Sequence, residues 1–185
     1  MMRSLLLAPL CALLAASCFA ESAPPHAGPT AQEVIEFERI AQPSKQGDDQ
    51  LNEQVSPDGT RAFVLTRKAD VASDTNRYRI QLFDVTPAHL AARRVPSPDV
   101  VFSLDASRDN SYYAQAIKNV QWLDDRTLVF LARRAGETFQ VFGLDVVTRE
   151  LTPLTHEKDV IVSFAVSRDL RRVVYAVQVL SLIHI

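Results

Sequence analysis

An all-β chain built from repeated antiparallel meanders is predicted by three observations. A strand-turn-strand unit opens at Val55-Ser56-Pro57-Asp58-Gly59 and returns in altered form at Gln121-Trp122-Leu123-Asp124-Asp125 and Val166-Ser167-Arg168-Asp169-Leu170. Short apolar or alternating runs flank each copy and are bounded by turn residues. The copies recur 66 positions apart from Asp58 to Asp124 and 45 apart from Asp124 to Asp169, where blade repeats run about 40 to 50 residues. One such sheet cannot bury both of its faces, so repetition implies neighbours stacked against it. The arrangement that fits is an incomplete β-propeller of about two to three blades, preceded by a signal peptide and a short helix.

Residues 1–20 carry Arg3 ahead of an apolar run from Leu5 to Ala16 and end on Cys18-Phe19-Ala20, the small-residue pattern of a signal-peptidase site before Glu21. The run is short for a hydrocarbon core of ~30 Å, so a secretory leader is expected and no transmembrane segment after its removal. Cleavage would remove Arg3 as the only charged residue, together with both cysteines, Cys11 and Cys18. The mature chain would then be held by packing alone, in the periplasm or outside the cell. Ala15-Ala16-Ser17-Cys18 offers a second outcome, a lipid anchor through Cys18, although Ala15 stands where a lipoprotein box usually carries Leu.

Residues 21–29 are rich in proline and read as a flexible lead, and residues 30–179 as the partial propeller. Thr30-Ala31-Gln32-Glu33 has the form of a capping box and starts a short helix through about Arg39, with Val34, Phe37 and Ile40 expected to dock it on the first sheet. Residues 41–54 are polar, with a turn at Gly47-Asp48-Asp49. In the first repeat Pro57 presets the turn and Gly59 accepts a left-handed backbone. Strands are expected at Ala62–Thr66 and Tyr78–Val85, with Arg67–Arg77 as the loop between them. The alternation of Tyr78, Ile80 and Leu82 with Arg79, Gln81 and Phe83 separates two faces.

The long first interval places an inserted loop at Asp105–Ala116. In the second copy, strands at Leu128–Ala132, Phe139–Val146 and Leu151–Thr155 alternate with turns at Arg134–Glu137 and Thr148–Glu150, the meander of one blade. The third copy supplies Val173–Val177, an apolar strand whose partner is not seen and which is an aggregation hazard. Residues 180–185 resemble the translation of a transposase adapter end and are expected to be non-native, with the natural chain running on past Val179.

The 20 Lys and Arg against 22 Asp and Glu give a net charge of −2 with no basic block, which argues against nucleic acid as a partner. No serine lies in a Gly-x-Ser-x-Gly elbow, and His156-Glu157-Lys158-Asp159-Val160 lacks the second histidine of a zinc-protease helix. His26 and His89 have no second ligand nearby, so neither a metal nor another cofactor is expected. The recurrent Asp58, Asp124 and Asp169 suit a structural role better than a calcium or acid-base one, because a carboxylate accepting backbone amides stabilises such a turn in every copy. Trp122, the single tryptophan, is expected between neighbouring sheets. Arg108, Tyr112 and Tyr113 in the inserted loop are the candidate recognition residues, since long polar loops on a rigid scaffold are where contacts tend to sit.

The signal peptide, the capped helix, Val55–Arg61, Val120–Asp125 and Leu144–Thr148 together resemble the amino-terminal propeller of exported prolyl oligopeptidase family serine peptidases. That group includes dipeptidyl and acylaminoacyl peptidases and lasso-peptide isopeptidases. The resemblance covers residues 30–179. It implies a non-catalytic propeller fragment that admits peptide substrates to a carboxyl-terminal α/β-hydrolase domain of the same chain, where the serine chemistry of proteolysis would reside. None of that domain's catalytic residues is present here. The Ser-Pro-Asp-Gly repeat also resembles TolB-type periplasmic propellers, which would make the chain a protein- or ligand-binding module instead.

Overall fold

The computed structural model describes residues 28–41, 54–92, 97–107, 115–134 and 137–178. They form antiparallel sheets with two five-residue helices. The first sheet has the order β1-β2-β3-β4 and the second β5-β6-β7-β8; β9 and β10 pair as a third, two-stranded sheet. The strands are β1 Arg39–Ile40, β2 Arg61–Asp70, β3 Thr75–Asp84, β4 Asp99–Ser107, β5 Ile117–Trp122, β6 Thr127–Ala132, β7 Gln140–Asp145, β8 Leu151–Pro153, β9 Val160–Val166 and β10 Val173–Gln178. Each four-stranded sheet is a meander in which every strand pairs with the next in the chain.

The middle sheet is buried on both faces, and this explains its sequence. Leu128, Phe130, Ala132 and Leu144 join Phe63, Leu65, Tyr78, Ile80 and Leu82 of the first sheet in one core. Leu131 and Val141, pointing the other way, join Phe139 and Ile161 in a second core against the third sheet. The period of two therefore disappears from Leu128-Val129-Phe130-Leu131-Ala132, since a strand covered on both faces has no polar side to show. In β3, by contrast, the expected alternation holds: Tyr78, Ile80 and Leu82 are buried against the second sheet.

The helix α1, Ala31–Ile35, carries the expected capping box: the Glu33 amide donates to the Thr30 hydroxyl and the Glu33 carboxylate accepts from the Thr30 amide. It ends four residues before the expected Arg39, and its apolar residues do not dock. Val34 is half exposed, and Phe37 and Ile40 are each 71% exposed. A helix of five residues is too short to present a continuous apolar stripe. Polar groups fasten the segment instead. Glu38 accepts from Thr66 at 2.6 Å and Gln81 at 3.1 Å and pairs with Arg79 at 3.2 Å, while Glu36 accepts from the Val71 amide.

The first hairpin also departs from expectation. The stretch Arg67–Arg77 is mostly strand rather than loop, and only Val71–Asp74 turns. The ladder runs on past the apolar part through Arg67 opposite Tyr78 and Lys68 opposite Arg77, and Asp105 on β4, 2.7 Å from Arg77, offsets the like charges of the second pair. β4 and β9 were not anticipated, and Asp105–Ser107, placed in the inserted loop by sequence, complete β4. The Gly47-Asp48-Asp49 turn, the leader and the 180–185 tail lie outside the described residues.

The first and third turns share one hydrogen-bond pattern. The Ser56 amide donates to the Arg61 carbonyl, the Ser56 hydroxyl to Asp58, and the Thr60 amide to Asp58. In the third turn Ser167, Asp169, Arg171 and Arg172 repeat this pattern. Gly59 has φ 71 and its counterpart Leu170 φ 58. A side chain in this region costs about 1–2 kcal/mol, so Gly59→Ala, which has open space around its Cβ, is expected to destabilise by about that amount in urea denaturation. Leu170 tolerates the same backbone because its side chain packs on Gly143, where a Cβ would stand 3.6 Å from its Cδ2.

Candidate functional site

The turns that open each repeat carry carboxylates, and the first two turns touch. Asp58 and Asp169 each hold a serine hydroxyl at 2.6 Å and the amide two residues on. Asp124 accepts the Arg126 and Thr127 amides at 2.8 and 2.7 Å. Asp125 reaches across to the first sheet: its carboxylate accepts the Asp58 amide at 2.7 Å, and its carbonyl accepts from Arg61 at 2.9 Å. Beside them the Trp122 indole donates to the Gln54 carbonyl at 2.9 Å and its ring lies 6.3 Å from that of Phe63. The expected seat of Trp122 between sheets is thus realised.

A second tier of aspartates closes the third strand of each meander. Asp145 accepts the Val147 and Thr148 amides and pairs with Arg126 at 2.6 Å. Asp84, at the equivalent place in the first sheet, accepts the Thr86 amide. The Thr148 amide, with help from Val147 and Arg126, holds the Asp145 pKa down to about 2. The Ser56 hydroxyl lowers that of Asp58, the Ser167 hydroxyl that of Asp169, and Thr86 that of Asp84. Carboxylates held down in this way are engaged in keeping their turns closed.

Acid should loosen these turns. The folded pKa of Asp145 lies below the unfolded ~3.9, so its contribution is present above about pH 4 and disappears as pH falls toward about 2; the lowered Asp58, Asp84 and Asp169 act in the same direction. Urea midpoints are expected to fall steadily across that window. Asp145→Asn, which cannot lose a charge there, should flatten the dependence; an unchanged slope would assign the acid response to other groups.

The connector between β3 and β4 contains α2, Pro87–Ala91, and one arrangement that invites comparison with a catalytic triad. Asp84 lies 2.9 Å and the Thr86 hydroxyl 3.2 Å from His89. Both contact the same ring nitrogen, Nδ1. A relay needs the carboxylate on one nitrogen and the nucleophile on the other, so the group does not have the geometry of a triad. His156 is a loop residue after β8, as expected. Among the described residues no group of three or more His, Cys, Asp or Glu could hold a metal ion, and no helix is long and apolar enough to cross a membrane.

Arg108, Tyr112 and Tyr113, the candidate recognition residues, lie outside the described residues. What sequence reasoning missed is the Glu38 cluster on the outer face of the first sheet, where Thr66 and Gln81 are buried with their polar groups engaged. Arg79 and Gln81 were legible as a polar face of β3. That Glu38 from a distant segment would meet them was not, because nothing in its local sequence marks the contact.

No family model matches the chain, and no curated protein matches it. Among solved structures, the apo AtxE2 isopeptidase is similar at 18% identity with a TM-score of 0.52, over 74% of this chain and 21% of that one. A variant of the same isopeptidase with Astexin3-dC4 bound is similar at 18% identity and a TM-score of 0.54, over 75% and 22%. The acylaminoacyl peptidase of Pyrococcus horikoshii has 13% identity and a TM-score of 0.45, over 78% and 18%. This chain thus spans about a fifth of the length of these proteins, and what it shares with the isopeptidase is a fold.

Proposed function

We propose that the chain is part of the β-propeller of an exported serine peptidase, and that it guides peptides toward a catalytic α/β-hydrolase domain encoded elsewhere in the same parent chain. The observation that carries the reading is the stacking of two successive four-stranded meanders and a third sheet, with Ser-x-Asp turns recurring within the first and third, on a fold shared with part of an isopeptidase. Each sheet leaves apolar area that only a neighbour can cover, and radial repetition covers it in turn. Export rests on the leader-like residues 1–20, with the periplasm or the extracellular space as the destination.

The engaged aspartates and the His89 geometry support a role without chemistry of its own. The purified 185-residue chain is expected to leave peptide esters intact and to take up no fluorophosphonate label. Hydrolysis sensitive to fluorophosphonate would overturn the placement of catalysis outside it. Sequencing the gene downstream of the Val179 codon tests the parent: a Gly-x-Ser-x-Gly elbow supports the peptidase, whereas only further meanders before the stop codon would make the chain a binding propeller of the TolB kind.

A further inference from the structure

Two cations meet at one aromatic ring on the face of the second sheet that is turned to the third. The Lys118 ammonium lies 4.5 Å and the Arg133 guanidinium 5.0 Å from the centre of the Phe139 ring. Lys118 stands opposite Leu131 on β6, and Leu131 opposite Val141 on β7; cross-strand partners share a face, and Leu131 and Val141 pack against the third sheet. Arg133 follows β6, and its amide donates to the Ala116 carbonyl at 3.0 Å. The ring itself is buried and its strand is fixed: Thr138 and Gln140, on either side of Phe139, both donate to the Glu157 carbonyl, at 3.1 and 2.7 Å. The backbone beside Lys118 is irregular. β5 bulges between Lys118 and Gln121, and within the bulge Asn119 has φ 52, a left-handed backbone uncommon outside glycine. Bulges and backbone outliers of this kind re-aim side chains and gather at sites of recognition.

We propose that Lys118 and Arg133 together bind a carboxylate of a peptide. Both cations lie so near one ring centre that they are closer to each other than the ~10 Å over which salt screens exposed charges. They repel, the ring offsets part of that cost, and an anion held by both removes the rest. An ammonium has three donors and a guanidinium five, so a carboxylate can be added to whatever contact each already makes. The planar guanidinium fork matches the two carboxylate oxygens, while the ammonium adds a point charge beside them. That the carboxylate belongs to a peptide rests on the proposed function. Its source is the carboxyl terminus or an acidic side chain, which present the same group to the site. The two sheets that flank the site both belong to this chain, so no further sheet is needed to form it.

Fluorescence anisotropy on the full chain tests it, with uncharged hexapeptides labelled at the amino terminus by a neutral boron-dipyrromethene dye. One probe has a free carboxyl terminus, the second is the same peptide amidated, and the third is the amidated peptide with one glutamate. A carboxylate-bearing probe should bind on the order of tenfold more tightly than the neutral one, and which of the two gains identifies the terminus or the side chain as the source. Lys118→Met and Arg133→Met should each weaken that probe about tenfold, whereas Lys118→Arg, which keeps the charge, should stay within about threefold of wild type. Urea midpoints read on Trp122 show that the variants fold. Equal binding of all three probes, or binding of none, overturns the proposal, as does a carboxylate preference that survives both methionine variants. A gene without the Gly-x-Ser-x-Gly elbow leaves these results unchanged, so the site and the proposed function fail separately.

Discussion

Replacing Phe130 by Ala is expected to lower the stability of the chain by about 3–5 kcal/mol. Phe130 is fully buried at the centre of the core between the first two sheets. Its ring lies 5.2 Å from that of Phe102 on β4 and 6.2 Å from that of Phe142 on the neighbouring strand. Truncation removes the apolar transfer term and leaves a void walled by a strand ladder on either side, which cannot collapse without breaking register. Domains are typically stable by only ~5–15 kcal/mol, so the variant should be mostly unfolded at moderate urea. Trp122, the single tryptophan, sits at the same interface against Phe63, and its fluorescence will report the transition directly. Phe130→Leu keeps most of the volume and should cost far less. A Phe130→Ala transition coincident with wild type would mean that the two sheets do not share this core.

Ile161→Ala should act differently, although its nominal cost of about 2–5 kcal/mol is similar. Ile161 is buried against Leu131, Phe139 and Val141 and is the principal apolar anchor of the third sheet on the second. A two-stranded sheet is marginal by itself, so weakening this anchor should release the hairpin before the rest unfolds. Amide exchange across Val160–Gln178 is expected to accelerate sharply, while that of Arg61–Asp84 and the Trp122 fluorescence midpoint change little. Equal acceleration in both regions would show that the three sheets unfold as one cooperative unit.

Much of the fold could be read from local chemistry. Pro57 and Gly59 specify a turn by their backbone preferences, and the serine and aspartate around them satisfy its amides within a few residues. The equivalence of Asp58, Asp124 and Asp169 follows from the same local rule: each carboxylate accepts the amide two residues on. The candidate site was less legible. The bridge from Asp125 to Asp58 and Arg61 joins residues of two different turns. Neither partner shows in its own sequence neighbourhood that another turn will stack upon it.

The sequence by itself determined the class of the protein, because strand period, turn chemistry and capping act over distances of two to five residues and are written where they act. It determined the turns around Asp58 and Asp169, the capping box on Thr30 and Glu33, and the inward set Tyr78, Ile80 and Leu82. Only the tertiary structure decided that Phe37 and Ile40 face outward while Glu38 fastens their segment, that Arg67–Arg77 continues a ladder, and that Leu128–Ala132 serves two cores at once. Each of those outcomes is a choice between a residue's own preference and the partner brought to it from far along the chain. The partner prevails because a buried group must be matched by whatever lies across from it, and that neighbour is set by the stacking of whole sheets.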